Sequence, residues 1–289
     1  MKLPSFAYEC PPSVEEALSL LAQHGDDAKV LAGGQSLVPL MALRLARPEV
    51  VVDVGRIDGL AGINTVNGHV AIGALARERA AERSDLVRSA VPLLADALPL
   101  IGHAAIRNRG TIGGSVAHSD PAAEIPAVLL AAGGEVVATS AARGERVIPA
   151  ADFFLGHFTN ALEPDELLTE VRIPKVGSGT GTSFREAVRR HGDFAMVGAA
   201  VMVQLASGRI RDARIALIGV GSTALRRPEA EQLLAGAEPT TQAFTAAGAE
   251  AARGLDPPSD LHGTAAYRTK VAAVMVRRAL QDASERATT

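Results

Sequence analysis

"NRGTIGGSVAHSDPAAEIPAVLLA", Asn108 to Ala131, decides how this chain is read. Two adjacent glycines, Gly113 and Gly114, stand between the hydroxyl residues Thr111 and Ser115, and a Pro-Ala-Ala-Glu-Ile-Pro turn then leads into an apolar run. A second glycine pair, soon followed by a serine, lies far upstream in "KVLAGGQSLVPLMALRLA", Lys29 to Ala46. One diglycine segment is a turn; two of them, each beside apolar segments, point to two loops facing one ligand. Glycine lets the backbone adopt positive φ and come close to a ligand, and successive N–H groups in such a turn form an anion-binding concavity. Ser36, Thr111 and Ser115 can add hydroxyl donors. Two tight turns in a packed α/β domain would give the same spacing, so spacing alone leaves both readings open.

Other nucleotide loops fit less well. "GVGSTALRR", 219–227, begins like a dinucleotide fingerprint after a strand, but the third glycine is missing and two arginines and a proline fall where the helix should start. No GxxxxGK[ST] phosphate loop occurs.

Bulk properties bound the rest. A chain of 289 residues favours two domains. A hydrophobic share of 47% and a charged share of 21% are those of a folded protein, and a net charge of −3 draws it to neither nucleic acid nor anionic lipid. Cys10 is the single cysteine, which excludes an internal disulfide and any all-cysteine metal or cluster site in the chain, and fits a reducing cytoplasm. The seven histidines are scattered, without HxxxH or HExxH. No signal-type apolar core opens the chain, and no apolar run is long enough to span a membrane.

Along the chain, "SVEEALSLLAQHG" is a helix with Ser13 as its cap, Glu16 three residues on and Gly25 as its stop. "AKVLAGG" is a short buried strand entering the first glycine pair, and "SLVPLMALRLARP" is a short helix broken near Pro39. "EVVVDVG" and "HVAIGAL" are strands. "AERSDLVRSAVPLLADALPLIG" is one helix, or two divided at Pro92. "IPAVLLAAGGEVVATS" is a helix and a strand joined by Gly133 and Gly134, and "LLTEVRIP" is a strand after a turn at Asp165 and Glu166. "GSGTG", 177–181, is the expected linker. Three strands with a hairpin turn in "SGRI" follow it, then three helices, an α+β signature.

"LAGGQSLVPLMALRLARPEVVVDV", "RNRGTIGGSVAHSDPAAEIPAVLLA" and "FREAVRRHGDFAMVGAAV" together resemble the medium, FAD-binding subunit of the molybdenum hydroxylases, closest in likeness to the carbon monoxide dehydrogenase branch. The wider family includes xanthine dehydrogenase and bacterial N-heterocycle hydroxylases. The likeness runs nearly the whole length, including the tail stretch "AAYRTKVAAVMVRRAL". It implies an α+β fold: a two-part FAD-binding domain of the vanillyl-alcohol-oxidase type over residues 1–176, then a small antiparallel sheet with a helical bundle over 177–289.

The resemblance also implies site residues. The first loop, Ala32, Gly33, Gly34, Gln35 and Ser36, would receive the FAD pyrophosphate, with Lys29, Val30 and Leu31 leading in. The second, Thr111, Ile112, Gly113, Gly114 and Ser115, would close over it. The family's acidic residue against the flavin's sugar-like chain falls on Glu124, and a ring-pocket position on Ile101. A backbone contact falls on Leu167 or Leu168. The family's basic position, where lysine is common, falls on Arg185, and an aromatic residue against the isoalloxazine on Phe194, where the close branch often has tyrosine. Each has a plainer reading: Glu124 as a helix-start acid, Phe194 as core, Arg185 as a surface charge. His118 reads as a hydrogen-bonded structural group and Asp120 as a turn former.

Function follows as an expectation. The chain would be the FAD-carrying electron-transfer subunit of a molybdenum hydroxylase, with no catalytic acid, base or metal of its own. FAD would be non-covalent, because Gln35 holds the position where a histidine could form a flavin bond. A molybdopterin-binding large subunit would do the substrate chemistry. A small [2Fe–2S] subunit would feed this flavin, which would pass electrons to an external acceptor, in a cytoplasmic dimer of heterotrimers. The alternatives are a self-sufficient flavin oxidase of the same fold and a non-catalytic nucleotide-binding module.

Overall fold

Ser13 caps the first helix, Val14–His24, by accepting from the Glu16 amide at 3.2 Å, and Gly25 ends it at φ +51°. The computed structural model describes residues 2–287. Met1 and Thr288–Thr289, at the ends of the two expected domains, lie outside the described residues. The helix turns Ala17, Leu18 and Leu21 onto a small parallel sheet in which Val50–Asp53 lies between Ala7–Glu9 and Ala28–Leu31. The last strand runs straight into the first glycine pair.

A five-stranded antiparallel sheet follows, in the order Ile63–Val66, His69–Gly73, Glu166–Pro174, Glu135–Ser140, Gly144–Pro149. Its central strand sets Val171 opposite both Ile72 and Val136, all fully buried. The helices Asp85–Ala90 and Pro92–Ala97 are divided at Pro92, which opens the second where its missing N–H costs nothing.

The C-terminal part is a four-stranded antiparallel sheet: Thr180–Ala187, Val197–Ala206, Arg209–Ile218, Leu225–Arg226. Ser207 and Gly208, both at positive φ, make the tight turn between the two long strands. The helices Pro228–Leu234, Thr241–Ala251 and Ala265–Ala287 cover one face. The other face receives the helix Glu124–Ala132, every residue of which is buried. That helix also packs against Pro92–Ala97 and the central strand of the five-stranded sheet. One apolar core therefore runs from Val70 and Ile72 through Val128 and Leu129 to Ala200 and Ile218.

Several local readings are corrected. The helix Leu37–Ala42 runs through Pro39 without breaking, because the proline sits in its first turn, where no N–H partner is needed. Within "GSGTG" the strand has already begun at Thr180. Gly181 is there for packing: a Cβ would stand 2.5 Å from the Ala287 amide nitrogen of the last helix. The strands Ala7–Glu9, Ile63–Val66 and Gly144–Pro149, and the hairpin of Phe154–Gly156 with Thr159–Asn160, are short elements that the residue pattern did not announce.

Candidate functional site

The two diglycine segments converge. A Cβ on Gly33 would overlap the Arg109 carbonyl oxygen and lie 2.9 Å from the Gly110 Cα. The first pair thus touches the chain just before Thr111. A cavity of about 610 Å³ opens between them, within the size range of small-molecule and cofactor sites. Of the residues expected there, Lys29, Val30, Ala32 to Ser36, Ile101, Thr111, Gly113 to Ser115, Glu124, Leu167 and Phe194 line it, as does Leu168. Leu31 and Ile112 do not. Ile112 is wholly buried in the core beneath.

Arg185 does not reach the cavity either. Its guanidinium lies 2.5 Å from Asp282 on the last helix. Successive strand residues point to opposite faces, and at this position the side chain meets that helix.

The two segments differ in what they offer. The second is the start of the helix Ile112–His118, not a free loop. Thr111 caps it, accepting from the Gly114 amide at 3.0 Å, and the Ile112, Gly113 and Ser115 amides donate to Ala76, Ala74 and Thr111 carbonyls. Gly113 is needed for close packing: a Cβ there would stand 2.6 Å from the Ala74 Cα. The first segment is the true nest. Gly34 has φ +73°, and among the described residues the amides of Gly33, Gly34, Gln35 and Ser36 have no partner in the chain. The Gln35 side chain folds back onto the Gly33 carbonyl at 3.1 Å. Four unsatisfied amides beside a helix start present positive partial charge to an anion. Ser115 lines the same space from the second segment.

Phe194 is not core. It is 69% exposed at the rim, on a segment that presses Gly192, at φ +86°, against His103, where a Cβ would lie 2.6 Å from Nδ1. The root of that segment is tied to the C-terminal part. Buried Arg268 donates to the Met196 carbonyl and pairs with Asp260 at 2.7 Å.

Acids outnumber cations around the cavity. Burial pushes the Glu124 carboxyl up to about 8, with its own backbone amide opposing and Glu186, Glu78 and Asp120 reinforcing. Burial pushes Glu78 up to about 7 against the pull of Arg107, and Glu186 also to about 7. For Glu166, burial is outweighed by the Arg146 guanidinium at 2.7 Å and the Glu163 amide, which hold its carboxyl below the ordinary range. Burial lowers His118, with Asp120 opposing, and its ring stacks on Phe158 with centroids 4.9 Å apart. Asp120 is the turn former expected, accepting from the Ala122 amide at 2.8 Å.

Glu78 and Asn160 also line the cavity, and neither carried a sequence signal. In "ARERAAERS", Glu78 reads only as a helix-start acid. Asn160 sits in the unannounced hairpin and donates to the Ala117 carbonyl at 2.7 Å, tying that hairpin to the second segment.

The arrangement suits an elongated ligand with a central anion. The nest and Ser115 can hold the anion, Glu124 can meet hydroxyls, and Ile101 and Phe194 flank an apolar end. These features fit FAD. Among the described residues no group of three or more His, Cys, Asp or Glu could hold a metal ion, and no helix is long and apolar enough to cross a membrane.

Residues 4–176 match the family model for the FAD binding domain in molybdopterin dehydrogenase, and residues 182–283 that for the CO dehydrogenase flavoprotein C-terminal domain. The chain is 47% identical over 288 residues to the 6-hydroxypseudooxynicotine dehydrogenase complex subunit alpha of Paenarthrobacter nicotinovorans, covering 99% of this chain and 97% of that one. It is 42% identical over 280 residues to the carbon monoxide dehydrogenase medium chain of Hydrogenophaga pseudoflava, covering 97% of each. A solved structure of the carbon monoxide dehydrogenase from Hydrogenophaga pseudoflava, lacking the Mo-pyranopterin moiety of the molybdenum cofactor, superposes with a TM-score of 0.96 at 43% identity, over 99% of each chain.

Proposed function

The chain belongs to the family of FAD-binding medium subunits of the molybdenum hydroxylases, an oxidoreductase flavoprotein subunit, and on that premise we propose that it relays electrons from a partner's iron–sulfur clusters to an external acceptor. The observation that carries the reading is the convergence of both diglycine segments on one cavity, with four free amides on one side. The proposed FAD contacts are the nest of Ala32 to Ser36 and its approach from Lys29, the Thr111–Ser115 helix start, Glu124, Ile101, Leu167 and Phe194.

Bound FAD supplies a carrier that accepts two electrons and can return them singly or in pairs. The chain's own residues bind and orient. The nest would hold the pyrophosphate with its backbone dipoles, the Thr111–Gly114 cap holds the second segment in place, and the buried Ile112 and Ala74 pack beneath that segment. The single cysteine cannot ligate a cluster by itself. The proposal therefore places the clusters and the molybdopterin on a small [2Fe–2S] chain and a large chain, in a dimer of heterotrimers.

The test is to purify the chain alone, supply FAD, and follow flavin bleaching anaerobically. Dithionite should bleach it, and candidate substrates such as carbon monoxide or N-heterocycles should not until the partner chains are added. Rapid bleaching by a substrate without partners would overturn the relay in favour of a self-sufficient oxidase. Failure to bind any flavin would favour a different nucleotide-binding module.

A further inference from the structure

Glu78 is the cavity's least explained group. It opens the helix Glu78–Arg83, and its backbone amide donates to the Gly110 carbonyl at 3.0 Å. Its carboxyl is folded under the segment that leads into Thr111. A Cβ on Gly110 would stand 2.5 Å from Oε2 and 2.7 Å from Cδ, so this close approach requires glycine there. The residue is 4% exposed, and its Oε2 is buried with no hydrogen-bond partner. A carboxylate in such a place would carry an uncompensated buried charge, which is strongly disfavoured.

Among the described residues no cation forms an ion pair with it. Arg107 is the nearest influence, but its guanidinium is held by Glu82 at 2.9 Å and by the Ile101 carbonyl at 2.9 Å. On its own helix, Arg79 is paired with Glu82 at 2.6 Å, and Arg83 closes the last turn. Arg77 donates to the Arg109 carbonyl. From the other elements around the cavity come Glu124, Asp120, Glu163, Glu166, Asp26, Asp193 and His118, with Lys29 the one lysine, and Glu186 acts through Glu124. Glu166 is neutralised by Arg146. Among the described residues Glu78 and Glu124 have no such ion-pair partner.

We propose that Glu78 is a cofactor-contacting residue of this site that stands there as a neutral carboxylic acid, so that the chain takes up a proton when it takes up FAD. This rests on the cavity being the FAD site. The physical cause is local. FAD brings a doubly charged pyrophosphate and displaces water from the cavity, and both changes disfavour a carboxylate facing it. Oε2 stays sealed beneath Gly110 without a donor in either state, which the neutral form tolerates, and Oε1, the oxygen not sealed there, can carry the O–H and donate it toward the cavity. The carboxyl already sits near the middle of the accessible range, pushed up by burial to about 7, so ligand binding crosses it at ordinary pH. Proton uptake makes FAD affinity fall as pH rises, by about tenfold per pH unit for each proton taken up.

The experiment is calorimetric titration of FAD into the flavin-free full chain at pH 8, in two buffers of different ionisation enthalpy, for the wild type and for Glu78→Gln. The buffer dependence gives the protons taken up. Wild type should show net uptake. Glu78→Gln, an isostere of the neutral acid, should bind FAD about as tightly at pH 6.5 and take up roughly one proton fewer at pH 8. Equal uptake in both proteins, or none in the wild type, overturns the inference while leaving the FAD site intact. No binding at any pH overturns the site itself. Should Glu78→Gln not fold, infrared difference spectra of Glu124→Gln with isotopically labelled glutamate decide, since that variant removes the other raised glutamate of the cavity: FAD addition at pH 8 should increase the protonated-carboxyl band, and no increase overturns the inference.

Discussion

Gly33 and Arg109 meet backbone to backbone, with the carbonyl of Arg109 filling the place where a side chain on Gly33 would be. The contact joins two segments more than seventy positions apart and sets the width of the cavity between them. Because the obstacle is backbone, neither side can rotate away. Gly33→Ala should cost about 1–3 kcal/mol of stability even without FAD, the usual penalty of overpacking, and lower flavin content further. Denaturant unfolding of the flavin-free protein, read beside its FAD stoichiometry, checks both.

The two glycines of the second segment should separate. A Cβ on Gly113 would run into the Ala74 backbone, 2.6 Å from its Cα and 2.8 Å from its carbonyl oxygen. A Cβ on Gly114 would meet only the Thr111 hydroxyl at 2.6 Å, a side chain that can turn aside at the loss of a helix cap worth about 1 kcal/mol. Gly113→Ala should therefore lose much of its folded yield. Gly114→Val should fold, less stably, and lose FAD; flavin at wild-type occupancy in that protein would remove the second segment from the site.

The structure explains how much of this site could be read in advance. The nest at Gly33–Gly34 was legible because glycines announce backbone geometry locally, whereas the Thr111 segment reads as a second loop and is in fact a capped helix start. The capped first helix, the long C-terminal strands and the three final helices were legible for the same reason: caps, alternation and turn residues act over a few positions. The role of Gly113 was not, because Ala74, which it packs against, lies in the turn after the distant strand His69–Gly73. Likewise nothing beside Glu78 in the chain tells that Gly110 will cover it. Arg185 and Phe194 depended on which side of a strand or rim faces the cavity, a property fixed by the partner helix Ala265–Ala287 and by the His103 contact. Most of the unannounced strands have two to four residues, too few to show a period, and Gly144–Pro149, with six, buries only Ile148 and so shows no alternation.

Stability should fall with pH between about 5 and 8 in the flavin-free chain. Glu124, Glu78 and Glu186 all have folded values above the ordinary 4.5. The stability each contributes is fully present below 4.5 and is lost as pH rises through its folded value, about 8 for Glu124. For Glu124 the slope approaches 1.4 kcal/mol per pH unit, an order-of-magnitude figure of about one ionisation per unit. Acids held low by partners, Glu82 and Glu166, do not titrate in this window, and His118, lowered by burial, opposes the three acids only below about its ordinary 6.5. Glu124→Gln should flatten the slope. Urea midpoints at pH 5.5 and 8.5 measure it, and a rise in stability over that interval would reject the raised values.

Arg185→Ala should leave FAD affinity unchanged. Its partner is Asp282, the side chain is half exposed, and such a pair contributes about 0–1 kcal/mol. A tenfold loss of affinity by fluorescence titration, with no change in unfolding midpoint, would return Arg185 to the cofactor.

The helix Glu124–Ala132 begins at the cavity and is gripped on one flank by the five-stranded sheet and on the other by the strands Val197–Ala206 and Arg209–Ile218. In genetic terms the two halves are linked inheritance. A chimera that joined the first half of this chain to the second half of a relative would place two foreign surfaces against one helix. Each mismatched methyl group on that seam would be felt at both, and through Glu124 at the flavin pocket as well. Substitutions along Ile125–Ala132 should therefore change in step with those at Ala200, Ala216 and Ile218 as relatives diverge, and recombination within the family should favour exchange of the chain whole.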